Sequence, residues 1–276
     1  MYVDLHVHTT FSDGLLAPQQ VVKKAFELKL KAVAITDHDT VKGIQPALDA
    51  AKSYKDIEVV PGIEFSTEYF GEEVHILGYY IDFCDKNLNE FLTDLQEGRK
   101  KRIYKIVSKL QSLGIDIFED EVFAKSKGAS IGRPHVAMVL CDKGYVNSIE
   151  EAFEKYLSKD APAYVPKEKI TPFYAVDLIY KKHGIPILAH PGLLKNKNIV
   201  SELISYGIKG IEVIHKDHTK EDIQLYAKLA KDNNLLLTGG SDSHGETPLL
   251  LGSFNVPVEY FYKLKEMKDR SDDHLD

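Results

Sequence analysis

Cysteine is scarce: the 276 residues include only two, Cys84 and Cys141. They show neither zinc-finger spacing nor the dense framework of a disulfide-stapled domain. Long apolar runs are missing as well. No stretch approaches the roughly 20 residues needed to span a bilayer. No basic flank leads into an apolar core at the N-terminus, so a signal peptide is not expected and a cytoplasmic location is the default. Positive charge is not in excess either. The formal charge of −7 argues against binding nucleic acid by bulk electrostatics, and no stable association with DNA or with a membrane is expected. An enzyme acting on nucleotides is still allowed, because bound divalent cations make an acidic chain locally attractive to phosphate. P-loops, dinucleotide fingerprints, internal repeats and low-complexity tracts are all absent. What remains, 43% apolar and 28% charged residues, is the composition of an ordinary globular chain.

Short β-branched runs alternate with longer segments of helical period, the pattern of a parallel α/β fold. Strands are expected near 2–8, 32–36, 57–64, 73–80, 186–190, 208–214 and 235–240, with helices between most of them. The first helix, APQQVVKKAFELKL, has Pro18 near its start and Val21, Val22, Ala25, Phe26 and Leu28 as its buried stripe. Another, over 219–233, opens on Thr219, Glu221 and Asp222, as suits a helix N-terminus. The alternation breaks between 80 and 186. Residues 87–113 place Leu88, Phe91, Leu92, Leu95, Ile103, Ile106, Val107, Leu110 and Leu113 on one face, and shorter helices follow near 119–127, 133–142 and 148–157, with Gly114, Gly128 and Gly144 as breaks. Residues 84–165 are thus expected to form a helical insertion in a domain made of 1–83 and 166–276, and the tail KEMKDRSDDHLD to end a helix and fray.

In VDLHVH, Val3, Leu5 and Val7 alternate with Asp4, His6 and His8. Both imidazoles therefore share one face of a strand. An edge strand with a solvated polar face would look the same. The rest of the chain favours paired metal ligands, because other donors also sit where strands end. KAVAITDHD ends on Asp37 and His38, VVPGIEF on Glu64, PILAHPG on His190, and LLLTGGSDSHG on Asp242 and His244. In αβ barrels catalytic groups gather on that C-terminal face. With Asp13 after the first strand and His75 on a hairpin after Glu64, the donors are His6, His8, Asp13, His38, Glu64, His75, His190, Asp242 and His244. One divalent ion takes about four to six donors, so this set with shared carboxylates suggests two or three ions. Without metal, gathering carboxylates in one cleft would raise some of their pKa values and cost stability.

These stretches resemble the four-motif signature of the PHP (polymerase and histidinol phosphatase) family. The likeness is carried by His6-Val7-His8 with Asp13, Thr36-Asp37-His38, Pro61-Gly62-Ile63-Glu64, Ala189-His190-Pro191 and Gly240-Ser241-Asp242-Ser243-His244. It extends over nearly the whole chain. The resemblance implies a distorted seven-stranded, TIM-like (β/α)7 barrel and a trinuclear site of Mn, Fe or Zn ions that hydrolyses phosphoesters. Under it, His6, His8, Glu64 and Asp242 would bind one ion. Glu64, His75 and His190 would bind a second, with Glu64 bridging, and Asp13, His38 and His244 a third. Asp37 would orient its neighbour His38.

The insertion narrows the expectation. SIGRPHVAMVLCDKGYVNSIEEAFEKYL resembles a segment of PHP phosphoesterases that act on nucleotides and short RNA, in which the lobe covers the metal cleft. Arg133 and His135 would there contact substrate phosphate, Arg133 through its planar fork. The alternative is a salt-bridged arginine before a helix-starting proline. His218, in IEVIHKDHT, matches a further position near the cleft, with His215 and Glu212 weaker matches. In GRKKRIYKIVSKL, Arg99, Lys100, Lys101, Arg102 and Lys105 read as the wet face of a helix, with Arg99 and Arg102 the best candidates for an RNA backbone. His183 and His274 read as surface.

Three rival functions are weighed. Histidinol-phosphate hydrolysis uses the same chemistry but is disfavoured by the GRPH-bearing lobe. A metal-dependent amidohydrolase is disfavoured because no strand-end lysine is seen. A non-catalytic PHP module is disfavoured because all nine donor positions are filled.

Overall fold

The computed structural model describes residues 1–126, 131–166 and 170–272. Its strands are β1 (Tyr2–Val3), β2 (Ala32–Ile35), β3 (Glu58–Tyr69), β4 (Glu72–Tyr79), β5 (Ile185–Leu188), β6 (Gly210–Ile214), β7 (Leu236–Gly239) and β8 (Val256–Pro257). Between and after them run α1 (Pro18–Glu27), α2 (Ile44–Ala51), α3 (Lys86–Ser112), α4 (Glu119–Ser126), α5 (Arg133–Asp142), α6 (Ile149–Ala152, continued by a π-turn over Phe153–Leu157), α7 (Pro172–Lys181), α8 (Asn198–Tyr206), α9 (Lys220–Asp232) and α10 (Val258–Asp272). Two compact units result. One comprises Met1–Asn89 with Lys169–Asp276, the other Glu90–Glu168; the sequence-based divisions after 83 and 165 lie a few residues short of these.

In the first unit β2 to β7 form a curled sheet in sequence order. The residues after β1 close it. Asp4 N–H donates to the Ala32 carbonyl and Ala34 N–H to that of Asp4, while on the other side Leu5 N–H donates to Gly239 and His8 N–H to Ser243. The opening segment is therefore not an edge, and its polar face is not solvated. His6 and His8 are at most 1% exposed, as are Val3 and Leu5 on the opposite face. With this segment the barrel has seven staves, a distorted TIM-like barrel.

The sheet is not uniformly parallel. β4 runs antiparallel to both β3 and β5. The cause is a two-residue turn at Phe70 and Gly71, with φ 49° and 85°, the double positive φ that suits a tight hairpin. The hairpin also lengthens β3 beyond the expected 64, so Glu64 lies inside a strand rather than at its end. Tyr2–Val3 pairs antiparallel with the unforeseen β8.

One end of the barrel is filled by Val3, Leu5, Ala34, Leu77, Tyr79 and Ile187, with Phe261 and Leu264 of α10 packed against them. On α1, Val21, Val22 and Ala25 are buried as expected, but Phe26 and Leu28 are 43% and 50% exposed. Phe26 instead stacks on Tyr54 at 4.9 Å. The helix at 219–233 is α9, whose cap Thr219 accepts from Asp222 N–H and whose Asp222 reciprocates.

In the second unit Ile103, Ile106, Val107 and Leu110 of α3 bury against Val122, Val136 and Leu140. Leu113, expected on that face, is 49% exposed, one residue past the helix end. Gly114 and Gly144 take φ of 80° and 74° at helix breaks; Gly128 and the tail residues 273–276, with His274, lie outside the described residues. His183 is exposed, as expected.

Candidate metal centre

The barrel end opposite α10 collects the donors. His38 follows β2, His190 follows β5, His215 follows β6, and Asp242 and His244 follow β7. Glu64 and His75 come from the β3–β4 hairpin. All nine expected ligands converge there, and Glu64 is the hub. Its Oε1 lies 2.9 Å from His75 Nδ1 and 3.0 Å from His190 Nε2. Its Oε2 lies 3.1 Å from His38 Nδ1 and 3.3 Å from both His6 Nε2 and His8 Nε2. Asp242 Oδ1 approaches His8 Nε2 to 3.0 Å and His6 Nε2 to 3.6 Å. Asp13 faces His244 Nε2 at 3.3 Å and His38 Nε2 at 3.8 Å.

Four groupings put their ligand atoms within 4.8 Å of one another: His6, His8, Glu64 and Asp242; His8, Asp13, His38 and His244; His38, Glu64 and His75; and His6, Glu212 and His215. The first tests directly whether a cation fits. His6 Nε2, His8 Nε2 and Glu64 Oε2 are all buried and make no hydrogen bond, though they lie within 3.3 Å along each imidazole–carboxylate edge. Leaving such atoms unpaired costs about 1–3 kcal/mol each, more where charge is involved. A divalent ion bound by two imidazoles and two carboxylates removes that cost.

Electrostatics in the metal-free chain point the same way. Burial pushes His6 and His8 down, but carboxylates outweigh it: Glu212, Glu64 and Asp242 raise His6 well above its usual value, and Asp242, Glu64 and Asp13 bring His8 up to about 10. Burial would raise Glu64 and Asp242, yet the facing histidines hold both well below the carboxylate range. His38 is pushed down to about 4, chiefly by burial. The surrounding carboxylates thus favour positive charge at His6 and His8.

The PHP-domain profile matches residues 4–273, nearly the whole chain. This protein belongs to the PHP family. The 5′-3′ exoribonuclease Rnm of Escherichia coli (strain K12) is 33% identical to it over 251 residues, 89% of this chain and 86% of the relative. The 3′,5′-nucleoside bisphosphate phosphatase of Chromobacterium violaceum is 32% identical over 248 residues, 88% of this chain and 87% of the relative. A crystal structure of a Bifidobacterium adolescentis protein assigned as a metal-dependent phosphoesterase superposes with a TM-score of 0.83 at 28% identity, covering 95% of this chain and 94% of that one.

Not every residue singled out in this PHP chain reaches the cluster. Asp37 bonds not to His38 but to the turn that carries Asp13. Its Oδ1 accepts Thr9 N–H at 2.6 Å and the Ser12 hydroxyl at 2.7 Å, and its Oδ2 accepts the Thr9 hydroxyl at 2.7 Å. Gly43 makes room for it, since a Cβ there would stand 2.4 Å from Asp37 Oδ2. Asp37 thus positions the Thr9–Gly14 turn. His218 spends both ring nitrogens on backbone: Nδ1 donates to the Val213 carbonyl at 2.8 Å, and Nε2 accepts Gly192 N–H at 3.0 Å. Neither is left for a phosphate. It braces the turn after His190.

Arg133 and His135 lie in the second unit. The Arg133 guanidinium donates to the Leu157 carbonyl at 3.0 Å and sits 5.3 Å and 5.8 Å from the Phe153 and Tyr164 ring centres. His135 Nδ1 accepts Gly132 N–H at 3.1 Å, closing the helix start. In the basic run, Arg102 donates to the Val165 carbonyl at 2.7 Å and Lys100 pairs with Glu97 at 2.6 Å, while Lys101 and Lys105 are exposed.

One residue escaped the sequence reading and another was read only as a weak match. Lys216, two positions past β6, is the strand-end lysine thought absent, and its Nζ lies 2.9 Å from Asp242 Oδ2 and from the Asp242 carbonyl. Glu212, a weak match at best, is fully buried and bonds to His6 and to the backbone of His190. The available signal was a single carboxylate in the apolar run GIEVI.

Proposed function

We propose that this PHP protein is a metal-dependent phosphoesterase that removes phosphate from nucleotides, with a nucleoside 3′,5′-bisphosphate or the 5′ end of a short RNA as substrate. The convergence of His6 Nε2, His8 Nε2 and Glu64 Oε2, buried and without hydrogen bonds, carries this reading, and the names of the relatives support the substrate class. Up to three divalent ions, of Mn, Fe or Zn, would be held by the nine donors in the sets that the family resemblance implies. Bound there, such ions supply Lewis-acid polarisation of phosphoryl oxygens and a water of lowered pKa.

The chain's own groups do the rest. Glu64 ties the sets together, its two oxygens meeting five imidazoles. Lys216 offsets the charge of Asp242 and holds its carbonyl, fixing a residue whose φ is 47°. Asp37 holds the turn of Asp13. Arg133 and His135 are assigned to the substrate phosphate on the resemblance of the GRPH stretch, and the fork geometry of Arg133 suits a phosphate dianion. No described helix is long and apolar enough to cross a membrane, and two free cysteines suit a cytoplasmic location.

The direct test is phosphate release from a nucleoside 3′,5′-bisphosphate by chelator-stripped protein, with and without Mn2+. Release only with metal is expected. A protein that binds metal yet releases no phosphate would refute the substrate assignment.

Metal uptake should also be pH-dependent. The carboxylates around His6 and His8 favour their protonated forms, and an imidazole nitrogen must lose its proton to bind a metal, so loading near pH 7 should release protons. Affinity should therefore rise between pH 6 and pH 8. The same protons stabilise the metal-free fold fully below their unfolded pKa of about 6.5. That contribution is lost as pH climbs through the folded values, about 10 for His8. Calorimetry in two buffers of different ionisation enthalpy reads the proton count; zero protons released would refute this linkage.

A further inference from the structure

Glu212 is a carboxylate in the middle of β6, between buried Ile211 and Val213, and has no exposed surface. Burying a carboxylate is costly unless each oxygen finds a donor. Here the donors belong to two different ligand residues. Glu212 Oε1 lies 3.0 Å from His6 Nδ1, and Oε2 accepts the backbone N–H of His190 at 2.9 Å.

The first contact has a chemical consequence. A carboxylate facing Nδ1 keeps the proton there when the ring gives up its other one, so Nε2 then carries the lone pair, and Nε2 is the atom that faces Glu64 Oε2 at 3.3 Å. The second has a conformational one. His190 adopts φ 26°, a backbone region that non-glycine residues enter only when held. Fixing its N–H aims the ring so that Nε2 lies 3.0 Å from Glu64 Oε1.

We propose that Glu212 is a positioning residue that locks His6 as its Nδ1–H tautomer and His190 in its left-handed backbone, and so sets the affinity of the centre for divalent ions. This rests on the metal-centre reading above. A competing arrangement exists in the same atoms, because His6, Glu212 and His215 also place ligand atoms within 4.8 Å of one another. A metal on that side would need His6 Nδ1 without its proton.

Zn2+ is the diamagnetic probe. In Zn2+-loaded protein labelled with 15N-histidine, His6 should show a slowly exchanging Nδ1–H. In Glu212→Gln the amide offers one acceptor where two are needed, so one of the two bonds must break. Zn2+ affinity, read by competition with a chromophoric chelator, should fall about 10–100-fold, and the His6 Nδ1–H signal should shift or vanish. A folded Glu212→Gln protein with wild-type affinity and an unchanged His6 signal would overturn this inference alone. An unprotonated His6 Nδ1 in the wild type would also overturn it, even if the variant failed to fold. A wild-type chain that takes up no Zn2+, Mn2+ or Fe2+ would bring down the metal-centre reading as well.

Discussion

Glu64→Gln should lower metal-stimulated phosphate release by about 10³-fold or more while leaving the barrel folded. The expectation comes from how its two oxygens are spent. Oε1 meets His75 and His190, Oε2 meets His6, His8 and His38, and no other carboxylate touches as many of the donors. Glutamine keeps the shape but supplies one neutral acceptor in place of two charged ones, so two of the three proposed ion sites lose a ligand together. His38→Ala and Asp242→Ala should each cost orders of magnitude as well, through one proposed site apiece. Circular dichroism and a denaturation midpoint on each variant separate lost chemistry from lost fold. Near-wild-type turnover in a folded Glu64→Gln protein would remove Glu64 from the centre.

A large stabilisation on metal loading is the second expected result. Ligand present at a thousandfold over its Kd stabilises the native state by about 4 kcal/mol per site. For a chain of this size each kcal/mol moves the melting temperature by roughly 2–4 °C. Chelator-stripped protein should therefore melt about 8–16 °C higher per saturated site when Mn2+ or Zn2+ is restored. The gain is large because the cation meets a prepared site: buried nitrogen and oxygen atoms without hydrogen bonds and carboxylates held ionised by neighbouring histidines. An unmoved melting temperature at saturating metal would mean the cluster is a hydrogen-bonded histidine core and not a binding site.

The ligand positions were legible because strand alternation and strand ends are local properties. His6 and His8 share a face by the period of two, and His38, His190 and Asp242 sit just past apolar runs. The hairpin that inverts β4 was legible only in part, since the turn residues Phe70 and Gly71 lack the usual asparagine or aspartate. The supporting layer was hidden. Asp37 stands beside His38 in sequence but serves Thr9 and Ser12, a contact that depends on how β2 packs beside the opening segment. His218 matched a position near the cleft, yet the fold commits both its nitrogens to backbone. Glu212 and Lys216 gain their meaning from His6 and Asp242, 206 and 26 residues away. Such partnerships are tertiary, and no window along the chain contains them.

The segment after β1 hydrogen-bonds on one side to β2 and on the other to residues 239 and 243. In a polypeptide growing from its N-terminus, His6 and His8 therefore emerge long before Asp242 and His244 exist. Until then the set of His6, His8, Glu64 and Asp242 lacks its last member. Closure joins the first stave of the barrel to the last, residues far apart in the chain. A bound ion would then act as a reversible cross-link of very long span, the kind of tie that most restricts the unfolded chain. Closing the barrel and completing the donor set thus depend on the same contacts between its first and last staves.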